Sequence, residues 1–100
     1  MNNQPVILNG YYLHYKKMPY QLVDMSTHSD TLKDMVTYQA LYISLDFQKR
    51  MRWQKEKEEF FKDVEVDGKI VPRFTFVGTT IDELTKALKD VKSECELVLK

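Results

Sequence analysis

A chain of 100 residues and 11.9 kDa matches one hydrophobic core, so a second domain is not expected. Fifteen Lys and Arg balance fifteen Asp and Glu, leaving no global basic field to gather nucleic acid or anionic membrane. One cysteine excludes an intramolecular disulfide, and with only two histidines it falls short of a Cys/His zinc pattern. The charge is uneven: residues 1–45 hold six of the thirty charged side chains and all six tyrosines.

Tyr11 to Lys16 alternates weakly between apolar and polar side chains, predicting a strand with Tyr12, His14 and Lys16 on one face. Tyr20 to Met25 reads as a second strand. Ser26 to Thr31 is rich in residues that bond their own backbone and predicts a loop. Met35 to Ile43 is β-branched and aromatic, a third strand with Val36, Tyr38, Ala40 and Tyr42 on one face. Residues 46–62 are densely charged, yet Trp53, Phe60 and Phe61 need packing, which predicts a short strand near Trp53 and a helical turn ending at Phe60 and Phe61. Val64 to Val66 and Ile70 to Val77 flank Asp67-Gly68, a hairpin turn dipeptide. Thr80 followed by Glu83 is a capping-box pair that starts a last helix. Its apolar stripe is Ile81, Leu84, Leu88, Val91, Cys95 and Val98, suited to docking on its own domain or to pairing with a second copy.

Chemical motifs are sparse. His28-Ser29-Asp30 has the residue types of a hydrolase triad, but adjacent side chains diverge where a triad must converge. Cys95 falls on an apolar stripe, where a thiol is a small hydrophobe. His14 and His28, with Asp24 or Asp30, would make a metal site only if their strands bring them together, and surface histidines are the simpler expectation. Gly10, Gly68 and Gly78 are isolated, so no phosphate-cradling loop and no cofactor is expected. Lys49, Arg50, Arg52, Lys55 and Lys57 interleave with Phe47 and Trp53 as in single-strand binders, but Glu56, Glu58 and Glu59 make a solvated face the plainer reading. Met1 to Pro5 carries no basic residue ahead of Val6-Ile7-Leu8, unlike a signal peptide, and no apolar run reaches the ~18–20 residues of a membrane span. A reducing cytoplasm is the expected compartment.

Four segments together form a pattern: Gly10 to Lys16 (GYYLHYK), His28 to Thr31 (HSDT), Val36 to Tyr42 (VTYQALY) and Val64 to Phe74 (VEVDGKIVPRF). They resemble a bacterial family, domain of unknown function sixteen-fifty-three, whose pattern runs G-x-Y-R-H-Y-K-G, H-S-E-T, V-x-Y-x-A-L-Y, W-x-R-P-x-x-M-F and V-P-R-F. The chain departs from it at Leu13, at Lys17, and around Trp53, where Lys55 and Glu56 replace Arg and Pro. Replacing a planar guanidinium by an ammonium is not conservative where it grips an anion.

The resemblance implies a mainly β domain, drawn as an SH3-like barrel of about five strands over residues 10–77, with an appended amphipathic helix over 80–98. It supplies no activity. Its recurring polar positions are His14, His28, Ser29, Thr31 and Arg73, with Lys55 at a substituted one. Beside Tyr12, Tyr15, Tyr38 and Trp53 these offer donors and stacking faces to a small anionic ligand such as a nucleotide. The plainer alternative has His28 to Thr31 closing a turn and Arg73 pairing with an acidic neighbour. The expected function is therefore a non-catalytic binding module. An adaptor that dimerises through the helix stripe and a nucleic-acid-binding barrel are the alternatives.

Overall fold

The alternating aromatic segments of the first half become a sheet. The computed structural model describes residues 4–42, 51–93 and 97. Strands β1 (Tyr11–His14), β2 (Pro19–Thr27), β3 (Asp34–Ala40) and β4 (Arg52–Glu56) lead to a helical turn, α1 (Lys57–Phe60). A hairpin of β5 (Asp63–Val66) and β6 (Lys69–Pro72) follows, then β7 (Phe74–Gly78) and helix α2 (Ile81–Asp90). The five-stranded antiparallel sheet has the order β4-β3-β2-β1-β7, while β5 and β6 pair with each other.

Among the described residues the strands of the expected SH3-like barrel do not close. Strands β4 and β7 are the two edges of an open sheet. Its aromatic face is closed by Phe60 and Phe61 from α1 packing over Tyr12, Tyr38 and Phe74, which fills the space that curling strands would otherwise enclose. Among the described residues the architecture is mainly β, with seven strands in two sheets and a helix after the last strand.

Period-two alternation distributes the side chains as expected. Tyr12 opposes Tyr20 and Phe76, His14 opposes Phe74, and Tyr38 opposes Leu22 and Trp53, so these residues share the aromatic face. On the other face Leu13 and Leu41 pack against Leu84 and Leu88 of α2. A register shift between Leu22 and Asp24 bends the long β2–β3 ladder.

Two loci depart from the sequence reading. The run Ile70 to Val77, expected as one strand, breaks at Arg73, whose N–H donates to the Lys62 carbonyl at 3.1 Å and whose carbonyl accepts from Tyr15 N–H at 3.0 Å. One residue thus carries the chain from the small hairpin into the main sheet. The last helix also ends early: Lys92 takes φ +54, its N–H reaches the Lys89 carbonyl, and Ser93 N–H reaches the Leu88 carbonyl. These paired bonds are the Schellman termination, and the Ser93 hydroxyl then donates to the Lys17 carbonyl at 2.7 Å. Of the expected stripe, Leu84 and Leu88 are buried within the chain, Val91 caps the helix, and Cys95 and Val98 lie outside the described residues.

The two turn signals are realised. Asp67 and Gly68 take φ +52 and +78, as a two-residue turn between twisted strands requires. At the start of α2, Thr80 Oγ1 accepts from Glu83 N–H at 3.2 Å, and Glu83 Oε1 accepts from the Thr80 hydroxyl at 2.9 Å and Thr79 N–H at 3.2 Å. Those bonds, the Thr80 hydroxyl first, hold the Glu83 carboxyl below its usual range. Glu83 lies over Gly78, where a Cβ would come within 2.5 Å of its carboxyl carbon.

Candidate anion-binding pocket

Five of the ten residues expected at a ligand site meet around one cavity of about 190 Å³. They are His14, Tyr38, Trp53, Lys55 and Arg73, and Tyr20 and Phe74 complete the lining. The sheet register brings them together. Tyr38 and Trp53 are cross-strand partners, Lys55 is two residues beyond Trp53 on the same face, and His14 opposes Phe74. The rings are close-packed: Tyr20 lies 5.5 Å from both Tyr38 and Phe74 and 5.9 Å from Trp53, and Phe74 stacks on Phe60 at 4.0 Å. The Tyr20 and Tyr42 hydroxyls are hydrogen-bonded to each other, so Tyr20 presents its ring to the cavity.

The charged groups are both cations, and the Tyr20 and Tyr38 hydroxyls add groups that can donate or accept. Arg73 Nε is buried and has no hydrogen-bond partner among the described residues, an arrangement that folding alone disfavours. Among the described residues none that lines the cavity is acidic. The salt bridges Lys33–Glu56 at 3.6 Å and Lys62–Glu59 at 3.7 Å involve none of its residues. Among the described residues Arg73 therefore has no salt bridge to the acidic partner that the plainer sequence reading gave it. Burial first, and then the nearby charges of Lys16, Arg73 and Lys55, together lower the His14 pKa from 6.5 to about 4. His14 Nδ1 accepts from Lys16 N–H at 3.2 Å, which leaves the proton of the neutral ring on Nε2 as a donor. Burial raises the Tyr38 pKa, while the Arg73 charge works against that rise.

The other expected residues lie elsewhere. Tyr12 is fully buried; its hydroxyl donates to the Pro5 carbonyl at 2.6 Å and accepts from Ile7 N–H at 3.0 Å, tying the N-terminal segment to the sheet. Tyr15 packs on His14 at 4.3 Å, outside the cavity lining, with Lys16 Nζ 5.9 Å from its ring. His28, Ser29 and Thr31 form an exposed turn after β2. There His28 Nδ1 accepts from Asp30 N–H at 3.1 Å and Thr31 N–H at 3.3 Å, and Thr31 Oγ1 accepts from Lys33 N–H at 3.3 Å. His28 to Thr31 thus close a turn. All nine residues of β2 separate His14 from His28, on the order of 30 Å at the usual rise of a strand, so the two histidines cannot share a ligand or a metal. Among the described residues no group of three or more His, Cys, Asp and Glu is placed to hold a metal, and no helix is long and apolar enough to cross a membrane. In the basic run, Lys49 and Arg50 lie outside the described residues, as does Phe47.

Tyr20 and Phe74 are the lining residues that the sequence reading did not select. Phe74 follows Arg73 directly, and Tyr20 belongs to the tyrosine-rich front, but only the strand register shows that both rings face the cavity.

A family model matches residues 10–76, a span that includes every residue lining the cavity and stops before α2. A crystal structure of a protein of the same family from Bordetella bronchiseptica superimposes with a TM-score of 0.63 at 23% identity, covering 74% of this chain and 91% of the other. That likeness shows a shared fold. No curated protein matches the chain. The match over residues 10–76 places the chain in the family described as Protein of unknown function (DUF1653).

Proposed function

We propose that this chain is a non-catalytic module, working in a reducing bacterial cytoplasm, that binds a small anion in the cavity between His14, Lys55 and Arg73. The observation that carries the reading is the buried Arg73 Nε, without a hydrogen-bond partner among the described residues, at a cavity none of whose described lining residues is acidic. Two cations and a neutral imidazole donor suit a negative charge, and they repel a cationic ligand that four aromatic rings would otherwise attract. Among the described lining residues there is no carboxylate and no thiol, the Tyr20 hydroxyl is bonded to that of Tyr42, and burial raises the Tyr38 pKa, which works against activating that phenol; this supports binding over turnover. At about 190 Å³ the cavity is smaller than the ~300 Å³ of ordinary small-molecule sites. Of a nucleotide it would enclose the phosphate or the base alone.

Thermal unfolding tests the proposal. A ligand at ten times its Kd adds about 1.4 kcal/mol, which is several degrees of Tm for a domain of this size. Small carboxylates, inorganic phosphate and mono-, di- and cyclic nucleotides at millimolar concentration form the panel. At least one anion should raise Tm in the wild type and fail to do so in Arg73→Met. A flat response across the panel would overturn the proposal.

A further inference from the structure

We infer that the chain forms a two-fold dimer in which β4 pairs antiparallel with β4 of a second copy, joining the two five-stranded sheets into one. The pairing is independent of the anion-binding reading. The two edges of the sheet, β4 and β7, are not alike. At β7 the Phe76 N–H donates to Gln4 Oε1 at 2.9 Å, so a side chain of the N-terminal segment takes up part of that edge. At β4 the direction of the backbone groups follows from the ladder. The Ala40 N–H donates to the Met51 carbonyl at 3.0 Å, one step beyond the Gln39 and Arg52 pair. Hydrogen-bonded and non-bonded pairs alternate from there, so Trp53 and Lys55 spend their backbone groups on Tyr38 and Val36. Arg52 and Gln54 turn both N–H and C=O outward, and Glu56 its N–H. No other backbone bond among the described residues takes these groups up. Such an edge is a template for a further strand.

The order of charges along β4 selects the second copy as the partner. A two-fold axis makes a strand complementary to itself. Centred on Gln54, it sets Arg52 opposite the partner's Glu56, Gln54 opposite the partner's Gln54, and Glu56 opposite the partner's Arg52. These are the residues whose backbone groups point outward, so the main chains meet in the same register. On the aromatic face Trp53 then stands opposite the partner's Lys55, a ring beside a cation. Opposite charges directly across an antiparallel pair stabilise it, and like charges oppose it. An axis centred on Arg52, Lys55 or Glu56 would set like charges against each other, and one centred on Trp53 would carry Glu56 past the end of β4. Arg52 is exposed and has no salt bridge among the described residues. Glu56 holds Lys33 through Oε2 at 3.6 Å, which leaves Oε1 for the guanidinium. β4 is only five residues long, which suits a weak, concentration-dependent dimer rather than an obligate one.

Sedimentation equilibrium of the whole chain, from micromolar to millimolar concentration, should show the mass rising from 11.9 kDa toward twice that value. Added salt should weaken the association. Arg52→Glu sets Glu against Glu and should raise the dimer Kd at least tenfold; Glu56→Arg should do the same, and the two together should restore association. Gln54→Pro removes an outward N–H that β3 does not use and should abolish the dimer. Near-ultraviolet circular dichroism checks that each variant remains folded. Trp53 is the single tryptophan of the chain, stands at the pairing and lines the cavity. Its fluorescence therefore follows dissociation on dilution without anion, and anion binding at fixed protein concentration. A monomer at every concentration would overturn the proposal. So would a dimer that Arg52→Glu and Gln54→Pro leave intact, which would place the contact elsewhere. A charge-swapped double variant that stays monomeric would overturn the register centred on Gln54. None of these outcomes bears on the thermal test of anion binding, so the two readings fail separately.

Discussion

The two faces of the main sheet are buried by opposite chemistries. Toward α2, Leu13, Leu41, Leu84 and Leu88 form a small aliphatic core. Toward α1, a larger core is built mostly from rings, and its margin holds a cavity with a buried guanidinium nitrogen that has no partner among the described residues. An aliphatic core satisfies folding completely. An unpartnered donor costs stability, and positions where local rules are broken without a structural gain are where function is expected. On the proposed function, one face serves folding and the margin of the other serves recognition.

Large-to-small substitutions test that division most severely. Phe60→Ala removes the ring stacked on Phe74 and should cost about 3–5 kcal/mol, while Leu84→Ala should cost about 2–5 kcal/mol. Urea unfolding measures both. The two should differ in binding: among molecules that remain folded, only Phe60→Ala should weaken the anion response of Trp53. Equal weakening by Leu84→Ala would break the comparison.

Smaller effects of opposite sign sharpen it. Thr80→Ala deletes the cap of α2 and should cost about 1 kcal/mol with anion binding unchanged. Arg73→Met should abolish anion binding while leaving stability unchanged or raising it by about 1 kcal/mol, because a buried donor without a partner disappears. A destabilised Arg73→Met protein would mean that the guanidinium serves the fold.

Much of this contrast was legible before folding because alternation assigns strand faces without knowing their partners. It put Tyr12 with His14, and Val36 with Tyr38 and Ala40, as the register bears out, while Tyr42, beyond the end of β3, joins the same core. The Thr80 cap and the Asp67-Gly68 turn are local chemistry and were equally readable. The break at Arg73 was not, since Ile70 to Val77 has the composition of one continuous strand and the break depends on a bond to distant Lys62. Nor could residue types show that the Tyr12 hydroxyl is bonded to the N-terminal segment, or that His28 to Thr31 bond only among themselves and their turn. Recurring polar residues mark structural turns as readily as sites, and only their convergence in space separates the two. The closed barrel failed for a related reason: Phe60 and Phe61 cover the aromatic face, and side-chain packing of that kind carries no signal in strand periodicity.

The subtlest test concerns pH, and its sign follows from His14. In the folded chain burial and the charges of Lys16, Arg73 and Lys55 lower its pKa to about 4 from the usual 6.5. Between those two values the unfolded chain binds the proton more readily than the folded one, so this residue makes stability fall as pH drops through the window and contributes no slope above it. His14 is only partly shielded from water, and screening keeps the effect modest. Urea midpoints from pH 7 down to 4.5 should therefore decline more steeply for the wild type than for His14→Gln. A bound anion reverses part of the cause, because its charge offsets Lys55 and Arg73 and favours the imidazolium. Saturating ligand should then raise the His14 pKa and flatten the slope. Proton NMR of the His14 ring follows the titration directly. A ring that titrates near 6.5 with and without anion would remove His14 from the field of the two cations and break the electrostatic half of the comparison.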